Sequence, residues 1–379
     1  MGGVESYVAE LNRELLAAGH ADAITVIAPR LPHFAASSEA LSPGYRVVRF
    51  PAAEPTANFP LPAVWRPALW RALREARARD HDLIVSHTRF FPSSLLALVW
   101  ARITNRPLLH VEHGADYVQL QSRGPRALSR LYDRGPGRLV LRRADAVVGV
   151  SSAAAAFVTR LSGRTAAVIY RGAAPNLDAV LADPVLAKQA RDVSVILYAG
   201  RLIDGKGVPD LIDALAALPA AALLCIVGDG PKRADLEAQA TRLGVADRVS
   251  FRGYLPVTET LSLMRAADVV VSPSYTEGLP TAVLEAALLG RAIVASDVGG
   301  TGEIVRNEHS ALLYPPRDVG ALTAALARLL ADPPLRDRLG RAARGDARER
   351  FSWEVSAREF AAVAQRVARS RSSATNVAS

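Results

Sequence analysis

Two acids and two cations in the second half of the chain are of types, and at positions, suited to chemistry. Glu277 and Glu285, with seven residues between them, lie in the run Ser272–Gly300, SPSYTEGLPTAVLEAALLGRAIVASDVGG. Glu277 falls at a strand-to-helix junction and Glu285 further along the helix. The turn Gly278-Leu279-Pro280-Thr281 opens that helix, predicted over 279–289, and its unbonded N–H groups make an anion site. Pro280 suits a first helical turn, where its missing N–H costs nothing. A carboxylate there accepts directional hydrogen bonds from sugar or ribose hydroxyls. The plainer reading makes Glu277 a helix cap and Glu285 a solvated residue. However, Leu284, Ala286, Ala287, Leu288 and Leu289 surround Glu285, and an acid in such a run needs a partner.

The cations follow a strand that ends in glycine, in Tyr198-Ala199-Gly200-Arg201-Leu202-Ile203-Asp204-Gly205-Lys206-Gly207. Arg201 offers a planar fork to a diphosphate and Lys206 a point charge. The GxxxxGK[ST] spacing of a P-loop is absent. Val227-Gly228-Asp229-Gly230-Pro231 and Gly253-Tyr254-Leu255-Pro256 are two further strand-to-loop turns, and Tyr254 could line a base pocket. In the first half, His113 in Val111-Glu112-His113-Gly114 stands just past a strand, and His87 follows another strand in the same way. Such histidines are more often structural. Gly114 favours His113, because it lets a ligand approach closely.

The elements that must position these residues alternate. Strand patterns at 23–28, 45–50, 83–86, 108–112, 146–150 and 166–170 are separated by several helical segments. The pattern restarts with strands at 193–199, 222–227, 249–251, 269–272, 292–295 and 311–313. Helices at 208–217, 233–243, 257–266, 279–289 and 319–331 separate these. Strand-helix alternation predicts parallel sheets covered by helices, in two doubly wound halves. Ligands of such sheets bind at the C-terminal strand edges, where all these loops fall.

Composition narrows the function classes. A chain of 379 residues, half of them hydrophobic, is long enough for two domains. Cys225, the single cysteine, sits in an apolar run and reads as a buried, inert thiol. Met1-Gly2-Gly3 leads directly into an amphipathic segment, so no signal peptide is expected. The longest apolar stretch, 214–227, contains Pro219 and is too short to span a bilayer, which needs about 20 residues. The net charge of +9 is uneven. Residues 1–180 carry 22 Arg and 14 acids, against 24 basic and 23 acidic residues in 181–379. A basic first half suggests an anionic partner.

Together these motifs resemble the GT-B glycosyltransferases, specifically family 4 of the retaining group. The Glu277…Glu285 run matches that family's paired-glutamate motif, and Gly200-Arg201…Lys206-Gly207 its donor-phosphate loop. Val227–Pro231, Phe251-Arg252-Gly253, Ala267-Asp268-Val269 and Gly299-Gly300…Glu303-Ile304-Val305 match in order and spacing. The resemblance implies an α/β, GT-B fold: two doubly wound Rossmann-like domains facing an interdomain cleft. It implies that Arg201 and Lys206 hold the donor diphosphate, Glu285 the ribose, and Glu277 the donor sugar. The backbone at Gly278-Leu279-Pro280 would cradle sugar and phosphate. Gly2-Gly3 matches an N-terminal glycine loop and His113 a cleft histidine. Retention of anomeric configuration and independence of metal are implied as well. The expected domains are an acceptor-side domain at 1–172, lacking the strand the family has before its glycine pair, and a nucleotide-sugar domain at 173–352. A helix at 353–369 would cross back to the first domain, and a disordered tail would follow at 370–379. Arg171-Gly172 departs from the family's usual Asn-Gly.

The expected chemistry is a hexosyl transfer from a UDP- or GDP-sugar to a glycan, lipid-linked or small-molecule acceptor. Arg201, Lys206 and a helix N-terminus would stabilise the leaving diphosphate, with no cofactor or metal. Asp80-His81-Asp82 lies before a strand, at the wrong edge for a metal-diphosphate site. Two Arg-rich stretches mix with apolar residues. One holds Phe59, Leu61, Trp65, Leu69, Trp70 and Leu73, and the other runs from Arg123 to Arg143. They suit an anionic membrane surface, giving a cytoplasmic protein attached at the inner face. The alternatives are a GT-B epimerase or phosphorylase and, more remotely, a basic nucleic-acid-binding protein. The last lacks stacking motifs or a DNA-reading helix pattern, so no nucleic-acid partner is expected.

Overall fold

In a computed structural model, described for residues 3–30, 38–53, 61–77, 81–118, 123–173, 177–190 and 193–377, the chain divides into two compact units. The first comprises Met1–Gly114, Ala127–Gly172 and Ser352–Ser379. The second comprises Ala115–Arg126 and Ala173–Phe351. The placement of Ala115–Arg126 in the second unit is not foreseen by the sequence patterns.

The second unit is built on one six-stranded parallel sheet. Its strands are β9 (Ser194–Ala199), β10 (Ala222–Val227), β11 (Val249–Gly253), β12 (Val269–Ser272), β13 (Ala292–Ser296) and β14 (Leu312–Tyr314), numbered here after the eight of the first unit. Their order is β11-β10-β9-β12-β13-β14. Except at the edge strand β11, where Ser250 and Arg252 alternate with Val249 and Phe251, these are mainly apolar runs because both sheet faces are covered. Ile196, Leu224, Ile226, Val269, Val271 and Val294 are all essentially inaccessible. The helix Val208–Ala217 brings Leu211, Ile212 and Leu215 onto this core, and Val319–Ala331 brings Leu322, Leu326 and Leu329. Each such burial stabilises by about 1.5–3 kcal/mol relative to exposure. The chain leaves β9 toward β10 on one side and returns to β12 on the other. That reversal opens a crevice beyond the carboxyl ends of β9 and β12.

The first unit departs from one continuous sheet. β1 (Ile24–Arg30) pairs in parallel with β3 (Tyr45–Ala53), which also takes β2 (Ser38–Ser42) and β4 (Leu61–Pro62) antiparallel. A separate parallel sheet has the order β5 (Ile84–His87), β6 (Leu108–Glu112), β7 (Ala146–Gly149) and β8 (Ala167–Val168). Among the described residues, β1 and β5 each have a strand on one side only. No residue of β1 is fully buried, and Ile27 and Val85 keep 37% exposure.

The final helix, Trp353–Val377, packs on the first, Gly3–Ala17. It continues past 370, where the sequence predicted disorder, because no Gly or Pro interrupts it before Val377. Trp353 meets Tyr7 at a ring separation of 5.5 Å. Arg171 is buried and reaches the start of the first helix, with Nη1 donating to Gly3 O at 3.5 Å and Nη2 to Ser6 Oγ at 3.4 Å. The atypical Arg171 thus secures the helix that follows the glycine pair. The apolar side of the helix Pro67–Arg77 is core: Leu69, Ala72 and Leu73 are buried against β3. Leu69 and Leu73 are therefore not part of a membrane-facing surface. Phe59 and Asp80 lie outside the described residues. No helix among the described residues is long and apolar enough to cross a membrane. Cys225 is buried in β10.

Candidate active site

Loops at the carboxyl ends of the second unit's strands converge through close backbone contact. Gly207, with φ of 65°, packs so tightly that a Cβ would lie 1.9 Å from Pro273 O. Gly299, with φ of 51°, would place a Cβ 1.7 Å from Glu277 O. Only glycine allows such approach in the left-handed region. Tyr275 N–H donates to Gly205 O at 2.8 Å and Gly300 N–H to Gly278 O at 3.0 Å. The loop after β9 is thereby fastened to the loop after β12, and the latter to the loop after β13.

The fastening unites groups 71 residues apart: Lys206 Nζ donates to Glu277 Oε1 at 2.6 Å. Both side chains are partly exposed, at 28% and 15%. The sequence assigned them to diphosphate and sugar separately; here the cation and the acid engage each other. Arg201 is exposed on the same loop, and its carbonyl accepts from Tyr198 Oη at 3.0 Å. Gly200 and Gly228 are in neighbouring turns, and Tyr254, just past β11, keeps 62% exposure.

The helix after β12 is shorter than predicted, Thr281–Leu288. Pro280 is its N-cap rather than part of its first turn, so Gly278, Leu279 and Pro280 precede the helix. The reason is visible in the bonding: the Leu284 N–H to Pro280 O bond, 3.1 Å, is the first helical one. Glu285 lies in the helix, half-buried between the buried Leu284 and Ala286.

Tyr275 is a site residue that sequence reasoning missed. Its hydroxyl donates to Asp210 Oδ1 at 2.9 Å, and Arg317 stacks 3.7 Å from its ring centroid. These contacts hold the loop two residues before Glu277. The signal was Tyr275 itself, inside the singled-out run, but its partners are distant in sequence.

A second cluster belongs to the first unit. His87 ends β5 and His113 follows β6. Their rings meet at Nδ1 of His87 and Nε2 of His113, 3.2 Å apart. Tyr7 lies edge-on to both rings, at 5.9 and 4.8 Å. Burial lowers the His113 pKa to about 3, with Glu112 opposing the shift and Arg171 and His110 adding to it. Burial lowers His87 well below the ordinary value, as do His113 and His110. Both imidazoles are thus uncharged at neutral pH and act as hydrogen-bonding groups rather than acids.

Behind them is a buried charge network. Arg89 contacts Glu112 at 2.9 Å and Asp133 at 3.2 Å, all three inaccessible. Burial would raise the Glu112 pKa, but Arg89, His110 and the Gly114 amide together hold it far below the usual carboxylate range. Burial raises that of Asp133 despite Arg89. Gly3 opens the first helix, and Gly2 lies outside the described residues. Among the described residues no three His, Cys, Asp or Glu side chains are grouped so as to hold a metal ion.

Comparison with known proteins gives the family and the fold. Residues 1–177 match the family described as Glycosyltransferase Family 4, and residues 187–346 that described as Glycosyl transferases group 1. The chain is 31% identical to glycogen synthase of Mycobacterium tuberculosis, over 96% of this chain and 91% of that one. Its fold is similar to sucrose-phosphate synthase from Thermosynechococcus elongatus, with a TM-score of 0.82 and 27% identity, covering 97% of this chain and 94% of that one. It is similar to HepE of Anabaena, solved with UDP-glucose, with a TM-score of 0.69 and 25% identity, covering 86% of each.

Proposed function

Because this chain belongs to the group 1, family 4 glycosyltransferases, enzymes of the GT-B fold, we propose that it moves a hexosyl group, with retention, from a UDP- or GDP-sugar to a glycan, lipid-linked or small-molecule acceptor. The observation that carries this reading is the Lys206–Glu277 pair held at the sheet's point of reversal. Nucleotide ligands bind at such points, and HepE was solved with UDP-glucose.

In this reading Arg201 and Lys206 meet the diphosphate. The N-terminal turn of the helix Thr281–Leu288 adds its N–H groups. Charge developing on the leaving oxygen is then stabilised by fixed donors without a metal. Glu277 accepts from sugar hydroxyls, Glu285 from the ribose, and Tyr254 lines the base. Binding of the diphosphate competes for Lys206 and releases Glu277 toward the sugar. His113, uncharged, orients a hydroxyl.

The acceptor meets the basic first unit, at the inner face of the membrane. Leu128 and Leu131 are exposed at 68% and 69% beside the exposed Arg130 and Arg134. Apolar and cationic side chains on one helix suit anionic headgroups. Failure to sediment with anionic liposomes at low salt would remove this part alone.

The test of the donor is thermal shift against a panel of UDP-, GDP- and ADP-sugars. One nucleotide class should raise the melting temperature by several degrees, and Lys206→Ala should abolish the rise. No shift with any sugar nucleotide would overturn the reading. An epimerase would convert its sugar nucleotide with no acceptor present, and a phosphorylase would need inorganic phosphate.

A further inference from the structure

We propose that Glu112 is a positioning residue: its carboxylate ties together the two turns that carry His87 and His113, and so fixes the hydrogen bond between their imidazoles. The inference rests on reading His113 as a site residue, but its geometry stands apart from any donor.

The two carboxylate oxygens serve different turns. Oε1 accepts the N–H of Gly114, next to His113, at 2.7 Å. Oε2 accepts the N–H of Arg89, two residues past His87, at 3.3 Å. One side chain therefore spans the ends of β5 and β6. The distance between the two histidines follows from where those ends are held.

The turn after β5 needs holding. Thr88, between His87 and Arg89, has a φ of 60°. A β-branched residue in the left-handed region is strained and persists only where its surroundings impose it. Ser94 Oγ is 3.0 Å from both the His87 and the Thr88 carbonyls, and Thr88 N–H donates to Val111 O at 2.8 Å. The Arg89 amide bond to Glu112 closes the far side of this turn.

The carboxylate is itself immobilised. The Arg89 guanidinium grips it at 2.9 Å, and Phe157 lies under that guanidinium at 4.3 Å. His110 faces it at 3.5 Å, and its other nitrogen is hydrogen-bonded with Ser86 Oγ at 2.9 Å. Arg89 is braced in turn by Asp133, the first residue of the π-helical turn Asp133–Gly137. Every group around Glu112 thus limits where its oxygens can be.

The consequence is a relay in which the two rings take complementary roles. When one imidazole donates across the 3.2 Å contact, its partner must accept there. The outer nitrogens then present one donor and one acceptor, which suits a sugar hydroxyl that both gives and takes a hydrogen bond. Slack between the turns would break the relay without removing either histidine.

The experiment is NMR of the full chain with 15N-labelled imidazoles, reading scalar coupling across the N–H···N bond with no sugar nucleotide present. The wild type should show the coupling, and its Gly114 and Arg89 amide protons should exchange slowly. Glu112→Gln, which cannot accept at both oxygens, should lose the coupling while both histidines remain. Should Glu112→Gln not fold, Glu112→Asp decides, since it keeps the charge beside Arg89 but is too short to reach both amides. A folded variant with unchanged coupling overturns the proposal, as do rapidly exchanging Gly114 and Arg89 amides in the wild type. Since no donor is used, failure here is separate from failure of the donor panel.

Discussion

The two units hold their polar groups in opposite ways. In the second, Lys206 and Glu277 are partly exposed, and glycines that let backbone touch backbone hold their loops. In the first, Arg89, Glu112 and Asp133 are sealed from water and held by one another's charge. The partly exposed pair is still reached by water, so exchanging partners costs it less. The sealed network cannot lose a member without leaving an uncompensated charge. Adaptability and rigidity are divided between the units.

The sharpest way to break this contrast is to remove one ion from each. Arg89→Ala strands two buried carboxylates and should cost about 3–5 kcal/mol, read as the shift in a urea unfolding curve. Glu277→Gln should change stability by about 0–1 kcal/mol, as befits a partly exposed pair. Its effect should instead be on turnover, with kcat lower by about 10²–10³, on the order of losing one hydrogen bond that strengthens in the transition state. Equal effects on stability would refute the contrast.

A gentler probe is pH. His87 and His113 have folded-state pKa values below the ordinary 6.5, so the unfolded chain takes up protons first as the pH drops. Their contribution to stability is complete above about 6.5 and is lost toward the His113 value of about 3. In that window the unfolding free energy should fall by up to about 1.4 kcal/mol per pH unit for each histidine. Glu112 acts in the same direction at lower pH, since its folded value is also depressed. Replacing both histidines with glutamine should flatten the upper part of the profile, measured by denaturant unfolding from pH 7 to 4.5.

The same division decides what was legible in the sequence. The second unit's strands stand out because all but the edge strand β11 are mainly apolar runs, and its loops stand out because their glycines and charges are local. The helix Pro333–Arg348 escaped notice, since Leu335, Leu339, Ala343 and Ala347 are four apart among charged residues. Arg89 and Asp133 were invisible for another reason. They are 44 positions apart, and neither carries a local mark of its partner. Glu112 was quoted only as a neighbour of His113, because the two turns it joins are distant in sequence. The interruption between β1 and β5 was also hidden, since periodicity reports strands and not which strands pair.

That interruption has a practical outcome. Among the described residues, β1 and β5 each leave one side without a strand, with Ile27 and Val85 partly exposed there. Such an edge is a template for another extended chain. In concentrated solution the protein should recruit copies of itself, seen as turbidity that grows with concentration, until a charged substitution such as Ile27→Lys blunts the template.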